Sequence, residues 1–118
     1  MQINEKAIEF INPGETAVVV FTHGDNLRVD PQSGDGESGN RKITPDALDF
    51  VNRVIVYLRR TGEPANHVLV GDFSGFRMSE EPGRVLIRFT TLKEVSLTNL
   101  NWFEFCENSQ NPVCIITK

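Results

Sequence analysis

Apolar and polar positions along this chain follow two rhythms, one of strands and one of a helix. Residues 16–23 (TAVVVFTH) form a short β-branched run with Gly14 before it and Gly24 after it. Such a run without alternation predicts a strand buried on both faces. Before it, weak alternation through Ile8 and Phe10 predicts a first strand that ends at the Asn12-Pro13-Gly14 turn. After it, 27–30 continues the β pattern across a Gly24-Asp25-Asn26 turn.

The helical rhythm comes next. Ala47, Leu48, Val51, Val54, Ile55 and Leu58 fall at i, i+3, i+4, i+7 spacing and make one apolar stripe. Thr44 stands at the N-cap, Pro45 at the first helical position and Asp46 in the first turn. Arg59 and Arg60 occupy the last turn, with Gly62 as the stop and Pro64 beyond it. The spacing predicts an amphipathic helix over 44–61. The β preference of Val54 to Leu58 argues for a strand instead; the start and stop signals favour the helix.

The remainder reads as β. Residues 67–73 and 84–90 alternate, 94–97 is expected as a further strand after a short turn, and 74–83 reads as a loop or broad hairpin end. Residues 102–106 and 113–117 are predicted as two last strands joined around Asn108 to Pro112. Residues 31–42 (PQSGDGESGNRK) contain no apolar side chain, which predicts a mobile polar surface loop. One helix among consecutive strands predicts an α+β fold. Its body is a mostly antiparallel sheet or open barrel of about six or seven strands, with the helix packed on it. The length of 118 residues fits a single domain spanning 1–118.

Composition narrows the classes. With 39% hydrophobic and 24% charged residues the chain is globular rather than disordered. A formal charge of −4 argues against sequence-independent binding to nucleic acid or to an anionic membrane. The first ten residues do not read as a signal peptide, and the longest apolar run, 17–21, is too short for a membrane span. A cytoplasmic protein is therefore expected. Cys106 and Cys114 are expected to be two reduced cysteines in or near the core.

Candidate chemistry is sparse. His23 closes a buried strand beside a Gly-Asp turn, with Asp25, Arg28 and Asp30 close behind. His23 and Asp25 suit general acid–base work or N/O ligation of a metal, but no further histidine lies near enough in sequence to complete a metal site. His67, opening a strand, reads as solvent-exposed. Asp30, Asp35 and Glu37 fail the calcium-loop spacing. The 71–77 stretch, which contains Ser74 and Arg77, lacks the Gly-x-Ser-x-Gly elbow. Alternation in 102–105 sends Trp102 and Glu104 to one face, where an exposed Trp102 would make a binding hot spot. Arg77, Arg84 and Arg88 lie on or beside strands and would bind an anion if clustered.

With no catalytic constellation assembled, the sequence favours a small soluble, non-enzymatic binding module without metal or cofactor. Its partner would be another protein or a polar small molecule, contacted through Asp30, Arg28, Arg77 and Trp102, and a homodimer is compatible with the sequence. The alternative is a small enzyme of hydrolase or lyase type, with His23 as general base or metal ligand and Asp25 or Asp30 as its carboxylate partner.

Overall fold

The computed structural model describes residues 6–106 and 112–118. Its strands are β1 (Thr16–Thr22), β2 (Leu27–Val29), β3 (Gly36–Arg41), β4 (Arg53–Leu58), β5 (Asn66–Met78), β6 (Val85–Thr98) and β7 (Val113–Thr117). They form one open sheet in the order β2-β3-β6-β5-β4-β1-β7. All neighbours are antiparallel except β1 and β4, which run parallel with Val18 beside Val54 and Val20 beside Val56. The sheet is therefore mixed. Helical structure among the described residues is limited to α1 (Trp102–Phe105) and 3-10 turns at Lys6–Phe10 and Pro45–Leu48. No helix among them is long and apolar enough to cross a membrane.

The expected amphipathic helix over 44–61 is not formed. Its start signals support one 3-10 turn, with Pro45 in the first position and no side-chain bond from Thr44. The chain then enters β4, the strand between β1 and β5. The reason lies in Val56 and Tyr57, which a helix with the 47–58 stripe would leave outside. In the sheet both are buried, as are Val54, Ile55 and Leu58, because a central strand hides both of its faces. The stop signals at Gly62 and Pro64 serve equally well to end a strand.

The expected polar loop over 31–42 is also corrected, since its second half is β3. This strand forms without one apolar residue because its inward positions are filled in other ways. Gly36 and Gly39 admit close neighbours: a Cβ at Gly36 would collide with the Arg28 carbonyl, and one at Gly39 would come within 2.6 Å of Leu86 Cγ. Arg41 is buried and crosses the interior. Its Nη1 donates to the Phe21 carbonyl at 2.8 Å, and Nη2 and Nε donate to Ser38 Oγ at 2.9 and 3.3 Å. Burial lowers its pKa to about 10, opposed by the nearby Asp25 carboxylate, so the guanidinium stays charged at neutral pH.

The two faces of the sheet carry separate cores. On one, Val19, Ile55, Tyr57 and Val68 pack under the Lys6–Phe10 turn and α1, through Ala7, Trp102 and Phe105. The first of these turns replaces the strand expected at Ile8 and Phe10. On the other, Val18, Val20, Val54 and Val56 pack against Val85, Ile87 and Phe89 of β6, so the sheet curls over itself. Register shifts along β5 and β6 at Val68/Leu69, Val70/Asp72 and Phe73/Gly75 give the bend. Thr91, a β-branched residue at φ 53°, marks the second of them. The two alternating segments expected at 84–90 and 94–97 are thus one long bent strand.

α1 replaces the strand expected at 102–106. Asn101 accepts from the Glu104 amide and Glu104 bonds back to the Asn101 amide, a capping box that starts a helical turn. Cys106 and Cys114 are joined by a disulfide that ties α1 to β7, in place of two reduced cysteines. Of the turn expected at Asn108 to Pro112, residues 108–111 lie outside the described residues.

Candidate functional site

The open side of the curled sheet carries a polar groove. The β2–β3 hairpin sets Arg28 opposite Glu37, and Glu37 opposite Arg88 of β6, all on the outer face because Ser38, Ile87 and Phe89 point inward. Arg77, near the end of β5, reaches across β6 to Glu37, with Nε 3.1 Å from Oε2. Two adjoining depressions of about 140 and 350 Å³ share Arg28, Asn40, Arg77 and Leu86. Asp25 and Glu37 line the first, and Ser79, Glu80 and Glu81 the second. Arg28 has no side-chain bond or ion pair among the described residues, so its guanidinium is available to a ligand. Ser79 Oγ donates to Asn40 Oδ1 at 2.6 Å and fixes the floor between β3 and β5.

Of the residues singled out from the sequence, Asp25, Arg28 and Arg77 meet in this groove. Asp30 does not: its Oδ1 accepts from the Gln32 amide at 2.9 Å in the turn between β2 and β3. Nor does His23, whose Nδ1 lies 3.1 Å from the Arg59 carbonyl oxygen. A carbonyl only accepts, so Nδ1 is the donor in this bond. No hydrogen bond joins His23 to Asp25 or Asp30. Trp102 is the clear miss. It is 6% exposed and stacks on Phe21 at 5.6 Å, while Phe103 faces solvent in its place. The capping box at Asn101 and Glu104 is the sequence signal for this, because it turns strand alternation into helical spacing.

Asn40, Ser79 and Leu86 also line the groove and carry no signal in the sequence, and Glu37 enters there only through the rejected calcium loop. Glu37 and Asn40 sit in a strand that reads as loop, and their neighbours come from β5 and β6, far away in sequence. Among the described residues no group of three or more His, Cys, Asp or Glu is placed to hold a metal ion.

His67 departs from its expected free exposure. Nε2 lies 2.9 Å from Glu63 Oε1, and Nδ1 bonds Glu94 Oε1. Two carboxylates on one ring favour the imidazolium. The hydrogen bond to Glu63 and then that to Glu94 raise the His67 pKa above 6.5, against a smaller opposing effect of burial. A raised native pKa stabilises the fold fully below the unfolded value, and the contribution is lost as pH climbs through the native value. The melting temperature should therefore decline as pH rises above about 6.5. His67→Gln should flatten that fall; an unchanged slope in the variant would refute the assignment.

No protein-family model, no curated protein and no solved structure matches this chain.

Proposed function

We propose that this domain is a non-enzymatic binding module that takes a polar segment of a protein partner along the Arg28–Arg77 groove, one carboxylate of the segment meeting Arg28. The observation that carries the reading is the unpaired Arg28 guanidinium facing a groove in which Arg77 is already oriented by Glu37. Arginine presents a planar fork that suits a carboxylate, and a second, fixed arginine beside it sets direction. The carboxylates of Asp25, Glu37, Glu80 and Glu81 around the rim penalise uniformly acidic ligands and favour one of matched pattern. The shallow, elongated form suits an extended segment better than a compact small molecule. The enzyme alternative finds less support, since His23 engages the Arg59 carbonyl and no carboxylate orients it.

A peptide with a single Glu set among Ser and Lys residues, titrated into isotope-labelled protein, tests this. The expected result is saturable shifts at the amides of 25–28, 37–40 and 77–81, weakened by salt. Arg28→Glu, an exposed substitution, should reduce the affinity about tenfold or more. Shifts scattered over the surface, or unchanged affinity in the variant, would exclude the groove as the binding site.

A further inference from the structure

A second depression, lined by none of the groove's residues, has a different character. A cavity of about 310 Å³ opens on the sheet face where the Lys6–Phe10 turn stops short of β5 and β6. Arg53, Thr91 and Lys93 line it together with Phe10, Val70 and Val95. Of the two cations, Arg53 is balanced by Asp72 and Glu15 just outside the lining, so Lys93 is the one that brings uncompensated charge to the three apolar walls.

The backbone is shaped to produce it. Residues 91, 93 and 95 of β6 alternate onto one face, and the register shifts fall on either side of Lys93. Leu69 pairs with Glu94 and Val68 with Ser96, so Val95 is the extra residue of a bulge and is directed into the cavity. Thr91 is held in its left-handed conformation from two sides. Its amide donates to Asp35 Oδ1 at 3.2 Å, and the single proton of its hydroxyl is shared between the Thr90 carbonyl at 2.7 Å and Asp72 Oδ2 at 3.1 Å. The other Asp72 oxygen takes Arg53 Nη1 at 2.6 Å, and Glu15 lies 3.8 Å from Arg53 Nε. Arg53 is thus fixed in place, while Lys93 has no ion partner among the described residues.

We propose that this cavity binds a small monocarboxylate with an apolar body, its carboxylate between Lys93 and Arg53 and its body against Phe10, Val70 and Val95. The volume suits a ligand of a few heavy atoms, and the unpartnered Lys93 ammonium beside apolar walls favours an anion over its neutral isostere. This site is separate from the Arg28–Arg77 groove and stands or falls independently of it.

The test is an amide-shift titration of the labelled protein with hexanoate, hexanamide and inorganic phosphate in parallel. Hexanoate should saturate, with its largest shifts at Gly71, Thr91, Lys93 and Val95. Hexanamide and phosphate should each bind at least about tenfold more weakly, one lacking the charge and the other the apolar body. Lys93 is exposed, so Lys93→Glu should keep a dispersed spectrum and weaken hexanoate by about tenfold or more. Equal binding of hexanamide would remove the role of the cations, and equal binding of phosphate would remove that of the apolar walls. Absence of shifts, or shifts confined to other residues, would overturn the proposal outright.

Discussion

Replacing residues 31–42 with a short Gly-Ser turn is expected to abolish cooperative unfolding. The segment has no apolar side chain, and composition alone makes it look dispensable. In the fold it supplies β3, which pairs on one side with β2 and on the other with β6. Without it, Val85, Ile87 and Phe89 lose the strand that holds β6 over the second core. Each such side chain contributes about 1.5–3 kcal/mol when fully buried. Together they approach the whole stability of a typical domain, about 5–15 kcal/mol. Arg41 goes as well, and with it the bond to the Phe21 carbonyl. Circular dichroism melts of the replacement should show no transition. A midpoint within a few degrees of the parent would mean that β3 adds nothing to the fold. Arg41→Ala isolates one part of this effect: leaving a buried acceptor unpaired costs about 1–3 kcal/mol.

The second large effect is expected in β4. Val54→Asp and Ile55→Asp should each unfold the domain, because the two side chains point into different cores and both are fully buried. An unpaired carboxylate in either core costs several kcal/mol, the order of the total stability. Val56→Asp is the more telling substitution. An amphipathic helix over 44–61 would present residue 56 to solvent and tolerate the change, whereas the central strand buries it. Soluble expression and cooperative denaturation of Val56→Asp would contradict the strand; loss of all three variants would agree with it.

These two elements mark where the sequence is legible. β1 is plain because its whole content, valines between two glycines, is local. β4 is obscured by genuine helix-start residues that serve only one 3-10 turn, and by a stripe that any fully apolar strand also satisfies. Val56 and Tyr57, apolar but off the stripe, are the signal against the helix. β3 is hidden for a different reason: its inward positions hold Ser38, Gly39 and Arg41, and what makes them suitable is Leu86 and Phe21, which are distant in sequence. The groove follows the same logic. Arg28 and Arg77 are visible singly, but only the register of β2, β3, β6 and β5 makes them neighbours. Trp102 was misplaced because alternation outweighed a capping box that stands in the sequence at Asn101 and Glu104.

The parallel pairing of β1 with β4 has a consequence for how the chain reaches this structure. Parallel neighbours cannot zip from a tight turn, and Val18 meets Val54 only after β2, β3 and the Pro45–Leu48 turn have been carried clear of the gap. β7 closes later still in sequence terms, with Thr16 beside Thr117. The β5–β6 hairpin is the opposite case, joined by a short connection and extended over the whole length of β5. Contacts close in sequence form before those that require large loops to close. The hairpin is therefore the natural nucleus, β4 adds to its edge, and β1 with β7 docks last. A chain arrested before that final step would expose β4 as a bare, valine-rich edge, the most adhesive surface the protein possesses. Its refolding yield should therefore depend on concentration more steeply than its native stability does.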